Sequence, residues 1–206
     1  MIHERAPTIP GAPSRMGKGR LEAFSDGVFA IILTIMVLEL KVPQGADFEA
    51  LRPVAPVFFT YVLSFVFVGI YWNNHHHLFH VVQRVNGNIL WANLHLLFWL
   101  SLFPWLLGWM QAGHFTSLPT AMYGVALLMA AVAYTILTRT IVANQGHDSA
   151  LAAALGSDLK GKLSIVVYAA AIPLAFVHPR ISDAFFVAVA LMWLVPDRRI
   201  ETKVKE

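Results

Sequence analysis

Long apolar runs separated by short polar connections dominate this chain. The runs span residues 21–42, 54–72, 89–110, 120–142, 163–177 and 181–196. Because a helix needs about 20 apolar residues to cross the hydrocarbon core, the pattern predicts six transmembrane helices, of which the last two are short. The runs lack the polar and apolar alternation of outer-membrane strands, so the expected fold class is an all-α polytopic membrane helical bundle.

The composition fits a membrane protein rather than a soluble one. Hydrophobic residues make up 57% of the chain and charged residues 13%, against about 25% charged in an average soluble domain. The chain has no cysteine, which excludes disulfides and thiolate metal sites. Its formal net charge of +3 is small, so no nucleic-acid partner is expected.

Lysine and arginine are unevenly distributed between the two sides of the predicted bundle. Of the 15 basic residues, only Lys41, Arg52 and Arg180 fall on one side, and the other twelve fall on the side that holds both termini. Cytoplasmic loops of membrane proteins are enriched in these two residue types. Both termini are therefore predicted to be cytoplasmic.

This topology divides the chain into three regions. Residues 1–19, rich in Pro, Gly and basic side chains, are predicted to form a flexible cytoplasmic tail, and 198–206 a basic cytoplasmic tail. The six-helix transmembrane domain spans 20–197. Its cytoplasmic connector at 143–161 is predicted to contain a short helix over 148–155.

The first run carries more charge than a transmembrane helix usually does, and Asp26 is its most informative residue. A carboxylate within a span costs a few kcal/mol on insertion scales, so such groups usually face a bundle interior or a water-filled path. The sequence also allows a second interpretation, in which Asp26 lies at the membrane interface just after Arg20 and extends to water.

A stripe of mostly branched apolar residues follows Asp26 on the same helix. Ile31, Thr34, Ile35 and Leu38 recur at spacings of three and four and therefore share one face. Asp26 lies about 140° around the helix from Ile31, so the carboxylate and the stripe point in different directions. The periodicity is compatible with ordinary helix packing as well as with a pore lining.

A second polar cluster follows the second run and contains His75, His76, His77 and His80. If the helix continues, His76 and His80 lie one turn apart, which suits a metal site or a proton relay. Such side chains are also common at the headgroup level of membranes. One cluster does not complete a ligand set, and the sequence lacks phosphate-binding, nucleophile-elbow and zinc-protease motifs. We therefore expect no enzymatic activity, metal or cofactor.

Several segments of the first half resemble one membrane protein family. Arg20, followed after three residues by FSD at 24–26, matches its specific signature. The similarity continues through GIYWNNHHHLF at 69–79, NGNILWANL at 86–94 and FWLSLFP at 98–104. On these residues the chain resembles the endolysosomal potassium channel family, or transmembrane protein 175 family, in its bacterial six-helix branch. The last three runs match the family only as hydrophobic segments.

The resemblance implies a potassium-selective passive cation channel, a homotetramer whose first helices line a central pore. In this family large apolar side chains on the first helix narrow the pore, and the matching residues are Ile31, Ile35 and Leu38. Thr34, beside them, is the candidate for a contribution to selectivity. Potassium would be the permeant ion, the lipid bilayer and further copies of the chain its partners, and the bacterial plasma membrane its location.

The family also implies a structural polar network that ties the pore helix to its neighbours. Its expected members are Arg20, Phe24, Ser25, Asp26, Trp72, His75 and His76. His77 and His80 fall outside the family pattern and receive no role. The alternative function is a secondary or proton-coupled transporter that uses Asp26 and the cluster from His75 to His80 as a relay. A membrane metalloenzyme built on the same cluster ranks last.

Overall fold

The structure, a computed structural model, describes residues 17–80, 82, 84–145 and 158–194, and these form helices joined by short connections. The α-helices, in chain order, are α1 (Lys18–Leu38), α2 (Ala55–His80), α3 (Gly87–Ser101), α4 (Phe103–Ala112), α5 (Ser117–Gln145), α6 (Leu159–Val177) and α7 (Pro179–Leu194). A short 3-10 helix, Glu49–Leu51, lies in the connection between α1 and α2.

These helices supply the membrane segments that the sequence predicts. Within the described ranges, α1, α2, the pair α3 and α4, α5 and α6 are five segments long and apolar enough to cross a membrane. The sixth, α7, has 16 described residues and is therefore about 24 Å long. The predicted all-α polytopic bundle is confirmed, with the last segment as the shortest.

The first helix is displaced relative to the first apolar run. α1 stops at Leu38, and Glu39 caps it by donating its N–H to the Met36 carbonyl at 3.3 Å. Pro43 follows closely, and the residue before a proline avoids helical backbone. At the other end, Lys18 and Gly19, which the sequence analysis assigns to the tail, already belong to the helix.

The second helix continues through the histidine cluster. α2 runs to His80, well beyond the end of its apolar run at residue 72, because His75, Leu78 and Phe79 are buried against the rest of the bundle. The polar stretch after the run is therefore the final part of a packed helix and not a separate loop.

The third apolar run is broken into two helices at Leu102. Asn86 caps α3 by accepting a hydrogen bond from the Ile89 N–H at 3.0 Å, and Pro104 lies in the first turn of α4. Proline suits a first turn because the N–H groups there have no acceptor within the helix. Pro104 thus starts a new helix rather than bending a continuous one.

Several predicted features lie outside the described residues. They are the tail before residue 17, the short helix at 148–155, the end of the transmembrane domain at 197 and the basic tail at 198–206. The connector predicted at 143–161 is shorter than expected, because α5 extends to Gln145 and α6 begins at Leu159.

The helix α5 is central to the bundle and α1 is peripheral. α5 packs against α3, α4, α6 and α7, whereas α1 packs against α2, α3 and α4. One apolar core joins them and includes fully buried aromatic side chains such as Phe67, Phe103 and Tyr123. Part of the surface of α1 is therefore left uncovered by its own chain.

Candidate pore-lining helix and polar network

The helix α1 has one face that packs inward. Its buried residues are Leu21, Ser25, Phe29, Ile32 and Met36. Their spacings of three and four place them on one side of the helix, where α2, α3 and α4 pack. Several of the residues between them are exposed, whereas Val28 and Leu33 are partly buried against the apolar core.

The uncovered face carries the predicted constriction residues. Ile31 is 58% exposed, Ile35 42% and Leu38 78%, and Thr34 is exposed between them. The Thr34 hydroxyl donates to the helix backbone, with the carbonyl oxygens of Ala30 and Ile31 at 3.0 and 2.9 Å. Its proton is therefore used within α1, while a lone pair on its oxygen stays available to another group.

A buried chain of hydrogen bonds joins α2, α3 and α1. His75 Nε2 lies 2.7 Å from Asn93 Oδ1, and Asn93 Nδ2 donates to Ser25 Oγ at 2.9 Å. Ser25 in turn donates to the Leu21 carbonyl at 2.9 Å. Because an amide oxygen only accepts, His75 donates from Nε2, and every bond in the chain runs in the same direction. We call His75, Asn93 and Ser25 the polar bridge.

Aromatic rings from α1 and α2 pack on the histidine of the polar bridge. Phe29 meets the His75 ring edge to face with 5.5 Å between centroids, and Phe79 stacks on it at 4.4 Å. His75 is 2% exposed, and Ser25 and Asn93 are fully buried. A polar group at membrane depth must find its partner within the protein, so the bridge fixes the position of α1 against α2 and α3.

Asp26 is held on the exposed side of the same helix pair. Trp72 Nε1 donates to Asp26 Oδ1 at 3.0 Å, and the His76 ring stacks on Trp72 with 6.1 Å between centroids. All three side chains are exposed in the single chain. Asp26 lies about 12 Å along the axis of α1 from Lys18. A carboxylate there is costly against lipid, so this surface suits contact with protein or water.

Two predicted network members are placed apart from these bonds. Arg20 and Phe24 are exposed, and within the part of the chain that the structure describes, the ion pairs do not include Arg20. Lys18 joins the two helices at this end instead. Its Nζ donates to the His80 carbonyl at 3.0 Å and lies 3.9 Å from a Glu22 carboxylate oxygen.

The remaining histidines of the cluster lie on the surface of α2. His77 meets the His76 ring edge to face at 5.7 Å, and His80 is exposed at the helix end. Over residues 17–80, 82, 84–145 and 158–194, no three His, Asp or Glu side chains are grouped so as to hold a metal ion.

The prediction of site residues omits Asn93 and Lys18. Asn93 interrupts an apolar run, and an isolated amide inside a span usually needs a buried partner, so a signal for it was present. Lys18 has no comparable signal. Its acceptor is a backbone carbonyl of α2, and a backbone acceptor leaves no trace in the side-chain pattern.

Comparison with known proteins places this arrangement in a family. Residues 20–104 match the family described as endosomal/lysosomal potassium channel TMEM175. A potassium channel of Chryseobacterium sp. (strain P1-3) is 56% identical over 191 residues, which cover 93% of this chain and 100% of that protein. The chain belongs to the TMEM175 family. The resemblance based on the FSD signature and the segments after it is thereby confirmed.

A solved TMEM175 relative shares the fold, and an animal relative shares part of the sequence. The crystal structure of a lysosomal potassium-selective channel TMEM175 homolog from Chamaesiphon minutus matches with a TM-score of 0.71 and 24% identity, covering 86% of this chain and 96% of that chain. The endosomal/lysosomal proton channel TMEM175 of Mus musculus is 35% identical over 94 residues, 40% of this chain and 19% of that protein. TMEM175 is thus a family of membrane channels rather than of enzymes.

Proposed function

We propose that this chain forms a potassium-selective passive cation channel in which α1 of each copy lines a central pore. The observation that carries the proposal is the uncovered face of α1, a stripe of branched apolar side chains with one hydroxyl, beside an exposed carboxylate bonded to Trp72. The printed name of the Chryseobacterium relative, a potassium channel, supports potassium as the permeant ion.

The proposal requires an oligomer, because one helix face cannot enclose an ion path. We propose a homotetramer with closed symmetry around the pore axis. Assembly would cover the exposed Asp26, Trp72 and His76 side chains with protein or water and so remove the cost of exposing them to lipid. The surface next to the stripe is therefore assigned to contact between subunits.

Ile31, Ile35 and Leu38 form the proposed constriction. Residues one helical turn apart give rings stacked about 5.4 Å from each other along the axis. Branched apolar side chains that meet on an axis exclude water when the gap is small, so a small change in radius controls hydration and acts as a gate. Potassium loses its hydration water more readily than sodium does, so a narrow apolar ring penalises sodium more.

Thr34 and the polar network complete the proposed site in different ways. Thr34 offers a hydroxyl oxygen beside the apolar rings, and we assign it a contribution to selectivity. Of the predicted network, Ser25, Asp26, Trp72, His75 and His76 are assigned the structural task of holding α1 in position, whereas Arg20 and Phe24 lie apart from its bonds. The proposal includes no enzymatic step and no bound cofactor.

The proposed topology has both termini in the cytoplasm and the protein in the plasma membrane. Its support is the distribution of Lys and Arg, with only Lys41, Arg52 and Arg180 on the outer side. The tails at 1–19 and 198–206 then flank the transmembrane domain on its cytoplasmic side.

A proton channel is the second candidate, since the mouse relative carries that name. Exposed Asp26 on α1 and exposed His76 on α2 are the titratable groups that such a path would use. The transporter alternative has no support among these relatives, whose names are those of channels.

The test of the function is an ion flux measurement on purified protein in liposomes. We expect passive potassium flux down its gradient and much slower sodium flux under the same gradient. Proton flux is followed separately with an internal pH dye in potassium-free solution. Equal potassium and sodium flux would contradict selectivity, proton flux alone would favour the second candidate, and a flux that requires a second ion gradient would identify a transporter.

A further inference from the structure

A groove on the surface of α7 lies apart from α1 and the polar bridge. It is an open surface depression with a volume of about 580 Å³, lined by His178, Arg180, Ile181, Ala184, Phe185 and Ala188. These residues belong to the turn between α6 and α7 and to one side of α7. The groove therefore begins at one end of the bundle and runs into its membrane-spanning part.

The part of the groove that runs along α7 is lined by apolar residues. Ile181, Ala184, Phe185 and Ala188 follow helical spacing on one face of α7. The two alanines leave a trench beside the larger isoleucine and phenylalanine. From Ile181 to Ala188 the trench runs about 10 Å along the helix, within the roughly 15 Å that one leaflet contributes to the hydrocarbon core.

A histidine and an arginine stand at the open end of the trench. His178 and Arg180 are both exposed there. Among the residues that the structure describes, no carboxylate forms an ion pair with Arg180. Asp183, the acidic residue nearest to it in sequence, is only partly exposed and does not line the groove. An arginine guanidinium binds phosphate with two parallel hydrogen bonds.

We propose that the groove binds one anionic membrane phospholipid per subunit. Arg180 and His178 hold the headgroup phosphate, and one acyl chain lies in the trench along α7. The charge at one end and the apolar trench over one leaflet match an amphiphile of this shape. A helix from a second copy would fill the trench but would leave Arg180 without an anion, so the charge favours the lipid.

Native mass spectrometry of the assembled channel tests the proposal. Protein purified with phosphatidylglycerol is expected to retain about one lipid per subunit, and protein purified with phosphatidylcholine much less. Arg180→Gln should lower retention of phosphatidylglycerol about fivefold, with Arg180→Lys retaining more of it. Arg52→Gln, which makes the same change of charge at an exposed arginine in the connection between α1 and α2, should leave retention unchanged.

A second pair of variants tests the apolar part of the groove. Ala184→Leu fills the trench and should lower retention several-fold, whereas Ala170→Leu makes the same change at an exposed position of α6 outside the groove. Equal retention of the two lipids, or equal loss in Arg52→Gln and Arg180→Gln, would overturn the proposal in favour of unspecific lipid contact.

A photoreactive amino acid at Ala188 separates lipid from protein as the occupant. In liposomes that contain phosphatidylglycerol, we expect the photoreactive residue to form an adduct with lipid. The yield of this adduct should decrease when phosphatidylcholine replaces phosphatidylglycerol. A crosslink to a second chain would show that the groove is an interface between subunits and would overturn the proposal. An adduct that forms equally well with both lipids, or no adduct at all, would also overturn the proposal.

Discussion

At the scale of single residues, we propose that the polar bridge holds α1 in its position. Ser25, Asn93 and His75 come from three helices and are all buried. Hydrogen bonds between membrane helices stabilise by only about 0.6 kcal/mol on average, because the separated helices find other partners. Leaving a buried partner unpaired costs more, about 1–3 kcal/mol. The bridge therefore stabilises the observed placement of α1 mainly because any other placement would leave a buried polar group without a hydrogen-bond partner.

Replacing Asn93, the central residue of the polar bridge, should reveal the cost of leaving its buried partners unpaired. Asn93→Leu keeps the branched heavy-atom skeleton of the side chain but leaves His75 and Ser25 without their partner, so we expect a loss of at least about 1–3 kcal/mol in stability. Asn88→Leu makes the same change at an exposed site of the same helix and should shift stability by less than about 0.5 kcal/mol. Thermal unfolding of both variants in detergent provides the comparison, and equal melting temperatures would contradict a structural role for the bridge.

The bond between Asp26 and Trp72 leads to a prediction about assembly. Asp26→Ala removes the acceptor of the Trp72 indole N–H and should lower the tetramer fraction in size-exclusion chromatography. Asp26→Asn keeps an acceptor but loses the charge, which about halves the strength of such a bond, so its effect should be smaller. Normal assembly of both variants combined with a lost potassium preference would instead assign Asp26 to the ion path.

At the scale of helices, the apolar pattern identifies the segments but misplaces several ends. The run at 54–72 gives α2 its location, but not its continuation to His80, because burial of His75, Leu78 and Phe79 depends on helices distant in sequence. The break at Leu102 could likewise not be predicted from the apolar pattern. Pro104 is visible in the sequence, yet a proline inside an apolar run is compatible with either a bend or a new helix.

The close packing of α5 against α7 depends on a glycine. A Cβ atom at Gly124 would lie 3.0 Å from the Phe186 ring, which is buried, whereas one at Gly69 of α2 would meet nothing within 4 Å. Alanine favours helix over glycine by about 1 kcal/mol. Gly69→Ala should therefore preserve or raise the melting temperature, while Gly124→Ala should lower it through a clash of about 1–3 kcal/mol. A higher melting temperature for Gly124→Ala would show that Phe186 yields without cost.

At the scale of the whole molecule, the sequence locates the stripe on α1 but not what covers it. Helical spacing places Ile31, Thr34, Ile35 and Leu38 on one face, and the structure adds that their own chain leaves this face open. Apolar side chains exposed in one chain can meet lipid or another protein. Exposed Asp26, bonded to Trp72, favours protein or water for the neighbouring surface.

The decisive measurement compares two positions of α1 that are equally exposed but point in different directions. Ile35 is 42% exposed and Val37 45%, and they are separated by about 200° around the helix. Serine is introduced at each, with Leu38→Ser as a second ring variant. Potassium conductance and the potassium-to-sodium permeability ratio are then recorded in planar bilayers, after tetramer formation has been checked.

If α1 constricts the pore, Ile35→Ser and Leu38→Ser should raise conductance or lower the permeability ratio several-fold, because a hydroxyl lets water enter an apolar ring. Val37→Ser should leave both quantities close to those of the unaltered channel. Equal effects at Ile35 and Val37, or no effect at Ile35 and Leu38, would contradict the assignment of the stripe to the pore.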